Sequence, residues 1–197
     1  FITSTLQQEA WRKLRFTAKR TMVIAQQLYE GLPLGAEGSI GLITYMRTDS
    51  TNISNEARNE VRNYIKTQYG DAFLPETSPH YKTRTQSAQE AHEAIRPTSI
   101  YRLPKSIKQY LTRDQFKLYQ LIWQRFIASQ MTPAVYKTLA VEIVGQGQKD
   151  QYLLRSTGSQ LEFQGFLYIY EEGKDEDLTD EEDGDSDRIP VDDIKEN

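Results

Sequence analysis

The chain has 197 residues, of which 38% are hydrophobic and 26% are charged, and it contains no cysteine. A chain of this length can bury a core, but disulfides, thiolate metal sites and cysteine nucleophiles are excluded. Its apolar runs are far shorter than the roughly 20 residues that cross a membrane, and no signal peptide is recognisable. We therefore expect a soluble, cytoplasmic protein with no membrane partner. Because the chain begins at Phe1 without an initiator methionine, we also expect a piece of a longer polypeptide.

The net charge of −4 conceals two regions of opposite sign. Residues 171–197 contain 14 acidic and 3 basic residues, a net charge of −11, whereas residues 1–170 contain 21 basic and 14 acidic residues, a net charge of +7. A basic body is typical of proteins that bind a polyanion such as nucleic acid. A charged surface that simply contacts water explains the same numbers equally well.

Two helices are predicted near the start of the chain. The first covers Ser4–Leu14, because Ser4 and Gln7 have the spacing of a capping box. The second is capped by Thr17 and stops at Gly31. Its inward face is predicted from the spacing of Ala18, Met22, Ala25 and Tyr29.

The middle of the chain contains a predicted strand and two further helices. Ile40–Tyr45 is a short apolar run that predicts a strand. Ser54 has the position of an N-cap for a helix that ends at Gly70. Residues 71–87 are predicted to be irregular. A short helix is predicted around Ser87–Ile95, since the proline that follows it disfavours helix.

The pattern changes from helical to β-like in the last third of the chain. Thr112 and Gln115 form a second capping box, which opens a long helix ending at Thr132. Strands are then predicted at residues 135–144, 152–155 and 161–170. The predicted fold class is thus α+β and mostly helical, with a helical domain at 1–130 and a β-rich segment at 131–197. The acidic stretch at about 171–188 is predicted to be a flexible insertion.

The stretch that ends the predicted strand contains an unusual group of reactive side chains. Residues i and i+2 of a strand face the same side, so Tyr45 and Arg47 can present a hydroxyl and a guanidinium to one phosphate. A phenol is a weak nucleophile at neutral pH unless a cation stabilises its anion. Neighbouring side chains add hydroxyl groups and one carboxylate, namely Thr44, Thr48, Asp49 and Ser50. The alternative is an ordinary strand end with a solvated tyrosine.

Two other clusters suit a phosphate-bearing partner. On the predicted helix, His92 and Arg96 are four residues apart and share a face, from which they can bind or protonate a phosphate. Five cations also lie close together between the first two helices: Arg12, Lys13, Arg15, Lys19 and Arg20. Solvated helix faces are the alternative for both clusters. Neither histidine has ligand-type neighbours at a convincing spacing, so we expect no metal site in this chain.

Together these motifs resemble the type IA DNA topoisomerases. Residues 41–51 (GLITYMRTDST) resemble the active-site signature of that family, and the methionine before the arginine is typical of its bacterial topoisomerase I branch rather than of topoisomerase III. Residues 1–8 (FITSTLQQ) and 89–97 (QEAHEAIRP) resemble two further motifs in the right order. Residues 120–123 (QLIW) and 130–134 (QMTPA) match as well. The resemblance covers roughly residues 1–170.

The resemblance implies a reaction and a role for several residues. In this family a tyrosine attacks single-stranded DNA and forms a 5′-phosphotyrosine, a second strand passes through the break, and resealing relaxes negative supercoils without ATP. Tyr45 would be the nucleophile, Arg47 would neutralise the scissile phosphate, and His92 would contact the nearby backbone. Further DNA-binding residues would be Gln26, Thr48, Asp49, Arg96 and the five clustered cations.

The resemblance also implies partners that this chain lacks. The family's Mg²⁺ is bound by a Toprim domain, which would precede Phe1, and the active site forms between that domain and the tyrosine domain. Residues 1–130 would be a winged-helix-like tyrosine domain, and later residues would be part of a β-rich hinge in the arch. The expected location is the bacterial nucleoid, and the isolated chain is expected to cleave poorly. The alternative is a winged-helix-like DNA-binding module without chemistry.

Overall fold

The computed structural model describes residues 1–81 and 92–173, which divide into two compact units. One unit contains residues 1–132 together with 166–173, and the other contains residues 133–165. The helices of the described ranges all lie in the first unit: α1 Thr3–Leu14, α2 Ala18–Glu30, α3 Asn55–Tyr69, α4 Pro104–Ile107 and α5 Arg113–Ala128. None of them is both long and apolar enough to span a bilayer.

The side chains predicted to cap α2, α3 and α5 do so. The hydroxyl groups of Thr17, Ser54 and Thr112 each accept a hydrogen bond from a backbone amide in the first turn of the helix. At α5 the amide oxygen of Gln115 also accepts from the backbone N–H of Thr112 at 2.9 Å, which completes the predicted capping box. The three predicted helix N-caps are therefore confirmed.

The start of α1 differs from the prediction. The helix begins at Thr3, and the Thr5 hydroxyl accepts from the Ile2 amide at 3.1 Å, so the predicted Ser4–Gln7 capping box is wrong. The helix ends at Leu14, where Arg15 adopts a left-handed conformation with φ 57°. The hydrogen bond between Ile2 and Thr5 caps the first turn of α1. The spacing of Ser4 and Gln7 does not predict this bond.

The hydrophobic core of the first unit lies among α1, α2, α3 and α5. Helix α1 contributes Leu6 and Ala10, which are fully buried. The inward face of α2 consists of Thr21, Ile24, Ala25 and Leu28. The predicted face is therefore wrong by about one residue, and Tyr29 is 42% exposed. The longer aliphatic side chains of Ile24 and Leu28 take the inward positions, because they bury more apolar area than Ala18 does.

The run from Ile40 to Tyr45 is not a strand. A two-residue antiparallel ladder pairs β1 (Leu32–Pro33) with β2 (Ser39–Ile40), and after it Ile43 forms a single bridge with Pro97. Leu42 and Ile43 are buried in the helical core. The apolar run that suggested a strand is thus explained by burial among helices, which sequence periodicity cannot separate from burial in a sheet.

The segment before Pro97 also differs from the prediction. Residues 92–95 are not helical. The rest of the helix predicted around Ser87–Ile95 lies outside the described residues. The amide of Ala94 instead donates to Asn52 O at 2.8 Å, and that of Ile95 donates to Phe1 O at 2.8 Å. These bonds attach an extended segment to two distant parts of the chain, so its hydrogen bonds are not local as in a helix.

Within the first unit, residues 166–173 pack against α1, and a buried polar pair of Tyr170 and Glu9 joins them. The Tyr170 hydroxyl donates to the carboxylate of Glu9, which is 4% exposed and lies 3.3 Å from the Arg12 guanidinium. The Gly173 amide donates to the same carboxylate at 3.2 Å. Burial, and then the hydrogen bond to Glu9, raise the pKa of Tyr170, so its hydroxyl remains a donor at neutral pH.

Replacing Tyr170 with phenylalanine is expected to lower the free energy of unfolding by about 2 kcal/mol, because a buried carboxylate loses one of its donors. Urea unfolding at neutral pH measures this change. Tyr168→Phe is the matched control, since Tyr168 is exposed and its ring contacts with Tyr69 and Phe73 persist in phenylalanine. Equal effects of the two substitutions would contradict the assigned role of the Tyr170 hydroxyl.

The second unit is a long antiparallel hairpin. Strand β3 (Val135–Gln146) pairs with β4 (Gln151–Phe163) along its whole length. The predictions of strand at 135–144 and 152–155 are confirmed, since these residues lie within β3 and β4. A separate strand at 161–170 is wrong, because residues 161–163 continue β4 and Gly165–Tyr168 form a 3₁₀ turn. Gly158 lies within β4 opposite Leu139. Beyond residue 173 the predicted acidic insertion lies outside the described residues.

Candidate active site

Residues 45–50 alternate between exposed and buried side chains. Tyr45 is 41% exposed, and Arg47 and Asp49 are also exposed. Met46, Thr48 and Ser50 are buried between them. The alternation places Tyr45 and Arg47 on the solvent side, as predicted, although the backbone here is not a strand. We refer to residues 44–50 as the tyrosine loop.

The segment before Pro97 holds one end of the tyrosine loop. The backbone amide of Thr44 donates to Arg96 O at 2.9 Å, and its hydroxyl donates to Ala94 O at 2.7 Å. The Arg96 amide in turn donates to the Thr44 hydroxyl at 2.9 Å. These three bonds connect residues about 50 positions apart in the sequence and place His92, just upstream, beside the loop.

The start of α1 holds the other end of the tyrosine loop. The amide of Thr3 donates to Thr48 O at 2.9 Å, and the amide of Thr48 donates to the Thr3 hydroxyl at 2.9 Å. The Thr3 hydroxyl also lies 2.9 Å from Met46 O and 3.0 Å from Thr48 O. The loop is therefore attached to a helix that packs in the core through the fully buried Leu6 and Ala10.

Two aromatic rings flank Tyr45. The Tyr29 ring lies 5.4 Å from the Tyr45 ring in an edge-to-face arrangement, and the His92 ring lies 6.2 Å from it. The chain passes close to the end of α2 at Gly41, where a β-carbon would meet Tyr29 O at 2.6 Å. A glycine is needed at that position for the loop to reach the Tyr29 ring. Gln26 lies one helical turn before Tyr29 on the same face of α2 and donates to Glu30 at 2.6 Å.

An open groove lies between the tyrosine loop, His92 and the start of α1. Its lining residues are Ile2, Thr3, Ser4, Gln7, Arg47, Thr48, Asp49 and His92. The groove contains one guanidinium, one imidazole, hydroxyl groups and an amide, all of which can donate hydrogen bonds to phosphate oxygens, and it also contains the Asp49 carboxylate, which cannot. It is open along its length, as a binding surface for an extended strand must be.

Two predicted DNA-binding residues are not exposed: Thr48 is buried and Arg96 is largely buried. Thr48 accepts a hydrogen bond from the Ser50 amide at 3.0 Å through its hydroxyl, and that contact supports the loop. The Arg96 side chain is 11% exposed and forms an ion pair with Glu93, whose carboxylate also accepts from the Ser54 amide at 2.6 Å. The shared helix face predicted for His92 and Arg96 is wrong, because residues 92–95 are not helical.

The five clustered cations are on the surface, and several have protein partners. Arg12 pairs with Glu9, and Lys13 donates to Glu171 O and lies over the Tyr170 ring. Arg20 donates to Asp114 at 3.1 Å and lies over Phe16. Arg15 and Lys19 are exposed. Their role in binding DNA stays a prediction.

Sequence reasoning missed four residues around the tyrosine loop. Tyr29 was assigned to the core, whereas Thr3, Ser4 and Gln7 were read only as part of a helix start and of a family motif. The contact between Tyr29 and Tyr45 could not be predicted, because a loop separates α2 from Gly41 and its path is not evident from the sequence. For Thr3 the available signal was its place directly before Ser4, the predicted start of the first helix, since a hydroxyl at a helix start often bonds to backbone.

The described residues, 1–81 and 92–173, contain no group of three or more His, Cys, Asp and Glu side chains that could hold a metal ion. The side chains that line the groove include one imidazole and one carboxylate, from His92 and Asp49, which is too few for a magnesium site made by this part of the chain. We therefore assign no step of any reaction to a metal held by these residues.

Comparison with known proteins identifies the family. The sequence profile of the family described as DNA topoisomerase matches residues 1–197. Over 191 residues the chain is 50% identical to DNA topoisomerase 1 of Xylella fastidiosa, strains Temecula1 and 9a5c, covering 97% of this chain and 23% of each relative. The full-length topoisomerase I structure from Thermotoga maritima superposes with a TM-score of 0.71 at 42% identity, covering 89% of this chain and 28% of that one.

The chain thus spans about a quarter of the length of the relatives it matches. The matches include the tyrosine loop and the start of α1, which were the motifs that first suggested the resemblance. The chain therefore belongs to the family of DNA topoisomerases that includes bacterial DNA topoisomerase 1.

Proposed function

We propose that this chain supplies the strand-cleaving tyrosine of a type IA DNA topoisomerase, and that Tyr45 is the nucleophile. One observation carries the proposal. Tyr45 is exposed on a loop whose intervening side chains are buried, with Arg47 on the same side and the His92 ring 6.2 Å away. An exposed phenol with a guanidinium on the same side of the loop suits attack on a phosphodiester, because the cation offsets the charge that develops on phosphate oxygens.

The proposed reaction is a transesterification that conserves the phosphodiester energy. The Tyr45 oxygen bonds to phosphorus, and the bond from phosphorus to the 3′-oxygen of the preceding nucleotide breaks. The phenol proton is lost to solvent or to a base, and the departing 3′-oxygen gains a proton. The products are a 5′-phosphotyrosine and a free 3′-hydroxyl. Reversal of the same step reseals the strand, so no nucleotide cofactor is consumed.

The other site residues have positioning and binding roles in this proposal. Arg47 binds the scissile phosphate through two N–H groups, for which its planar geometry is suited. His92 contacts the adjacent phosphate. Gln26 contacts the DNA strand farther from the break. It lies one turn of α2 before Tyr29, whose ring touches Tyr45. Asp49 lies in the same groove and orients the basic side chains around it.

We also propose the wider setting of the reaction. The substrate is single-stranded DNA, and the reaction relaxes negative supercoils by passing a second strand through the break. Mg²⁺ is held by a Toprim domain outside this chain, where it would screen the phosphates near the break. Residues 1–130 form a winged-helix-like tyrosine domain, and residues 131–197 are part of a β-rich hinge. The enzyme acts in the bacterial nucleoid.

A chimera tests the proposal. The chain replaces the matching 191-residue segment of the Xylella fastidiosa DNA topoisomerase 1, at 50% identity, so the remaining domains are supplied in their natural order. The chimera is mixed with Mg²⁺ and a single-stranded oligonucleotide labelled at one end, then denatured. We expect a denaturant-resistant protein–DNA adduct that carries the 3′-end label, while the 5′-end label stays on a free fragment.

The label that stays with the protein shows which end of the broken DNA is joined to it, and peptide mapping identifies the residue that carries the DNA. An adduct carrying the 5′-end label would show the opposite polarity and would overturn the proposal. Mass spectrometry of the digested adduct should place the DNA remnant on the peptide that contains Tyr45. If the chimera binds the oligonucleotide but gives no adduct with either label, the chain is a DNA-binding module without chemistry. The unaltered Xylella enzyme serves as the positive control.

A further inference from the structure

We infer that Thr3 is a positioning residue for Tyr45: its hydroxyl holds the backbone on both sides of Arg47 and fixes the direction in which Tyr45 and Arg47 project. This inference rests on the proposed function of the tyrosine loop. The observation behind it is the number of backbone groups that one side chain contacts. A single hydroxyl lies within 3.0 Å of Met46 O, Thr48 O and Thr48 N.

The contacts occupy the proton of the Thr3 hydroxyl and one of its two lone pairs. A threonine hydroxyl has one proton and two lone pairs. Its proton is shared between Met46 O at 2.9 Å and Thr48 O at 3.0 Å, and a lone pair accepts the proton of Thr48 N at 2.9 Å. The backbone of Thr3 adds a fourth bond, from its own amide to Thr48 O.

The contacted groups are those that decide where the reactive side chains point. Met46 directly follows Tyr45, and Thr48 directly follows Arg47. Met46 and Thr48 are buried. Fixing the peptide groups of the two inward residues therefore fixes the outward residues between and beside them. No β-ladder fixes the backbone of residues 44–50, since these residues are not part of a sheet.

Thr3 is itself attached to a rigid element. It is the first residue of α1, and the Leu6 amide in the next turn donates to Ile2 O at 3.0 Å. Leu6 and Ala10 of the same helix are fully buried. A displacement of the loop would therefore have to break bonds to a helix that is packed in the core. In enzymes a misplacement of about 1 Å can lower the rate about 10²-fold, so such an attachment matters for attack on phosphorus.

The test is a set of three substitutions in the Xylella chimera. Thr3→Val removes the hydroxyl and keeps the shape, Thr3→Ser keeps the hydroxyl, and Thr21→Val is the matched control. Thr21 is a buried threonine whose hydroxyl bonds to Thr17 O within its own helix. We expect Thr3→Val to lower the single-turnover cleavage rate on the order of tenfold and to leave oligonucleotide affinity within about twofold. Thr3→Ser and Thr21→Val should cleave at close to the unaltered rate.

A second measurement on the unaltered 197-residue chain does not depend on cleavage. Amide hydrogen exchange should show the Thr48 N–H protected like the amides of α1, and Thr3→Val should remove that protection selectively. An unprotected Thr48 amide in the unaltered chain would overturn the inference, even if Thr3→Val fails to fold. So would a loss of cleavage in Thr3→Ser as large as in Thr3→Val, since that result would show that keeping the hydroxyl does not keep the rate.

The outcomes separate this inference from the proposed function. If the adduct is mapped to Tyr45 and Thr3→Val cleaves as fast as the unaltered chimera, the inference fails and the proposed function stands. If no adduct forms on Tyr45 in the unaltered chimera, the proposed function fails first. In that case Thr48 exchange still reports whether Thr3 holds the loop, but the assignment of Thr3 to positioning a nucleophile is withdrawn.

Discussion

Replacing Tyr45 with phenylalanine in the chimera is expected to lower the covalent protein–DNA adduct at least about 10³-fold, to the limit of detection. The substitution removes the single oxygen that would bond to phosphorus. The ring remains, so the contacts with Tyr29 and His92, at 5.4 and 6.2 Å between ring centroids, are retained. Because the fold and the groove are unchanged, affinity for the single-stranded oligonucleotide should stay within about twofold.

The measurement is the fraction of 3′-labelled oligonucleotide that stays with the protein after denaturation. Tyr136→Phe is the matched control, since it removes a hydroxyl from an exposed tyrosine in the hairpin of the second unit. It should form the adduct at the unaltered level. Persistence of the adduct in Tyr45→Phe would mean that another residue is the nucleophile, and the assignment of this loop would be wrong.

Replacing Arg47 with alanine is expected to slow cleavage about 10²-fold, the second largest effect. Removing one preorganised charge stabiliser in other enzymes lowers the rate about 10²- to 10³-fold. Arg47 is exposed and lines the groove beside His92, so its loss does not open a cavity in the core. Single-turnover cleavage of the labelled oligonucleotide by the chimera measures the change, and binding is measured separately to divide the effect between affinity and rate.

Two further variants separate charge from geometry at this position. Arg47→Lys keeps the charge and loses the planar pair of donors, so an intermediate rate is expected. Arg113→Ala is the matched control, because Arg113 is an exposed arginine at the start of α5, outside the groove. If Arg47→Ala lowers only the affinity, in proportion to its lost charge, then Arg47 is a general phosphate contact and not a group that acts on the scissile phosphate.

The sequence predicted the long helices well because their signals are local. Thr17, Ser54 and Thr112 each cap a helix as expected, since a hydroxyl at that position bonds to an amide only a few residues away. Two of the errors arose where the hydrogen-bond partner is distant in the sequence. Ile43 pairs with Pro97, and Ile95 pairs with Phe1, and no local pattern indicates either contact. The short apolar run at 40–45 was therefore read as a strand.

The candidate site divides in the same way. The outward positions of Tyr45 and Arg47 were predicted from strand geometry and hold for another reason, namely that the loop is fixed from two sides. The proximity of His92 to Tyr45 was implied by the family resemblance, whereas spacing suggested a pairing with Arg96 that the structure does not contain. The contacts of Tyr29 and Thr3 with the tyrosine loop are tertiary contacts. No residue spacing in a single sequence predicts them.

The alternation of buried and exposed side chains at residues 45–50 has a consequence for how the chain can change in length. A single residue inserted between Tyr45 and Ser50 would exchange the inward and outward sets, so that Met46 or Thr48 would face solvent and Arg47 or Asp49 would face the core. The turn at residues 36–39 has no such constraint, because its side chains are exposed and nothing lies within 4 Å of a β-carbon added at Gly38. Insertions and deletions should therefore accumulate in that turn and be absent from the tyrosine loop.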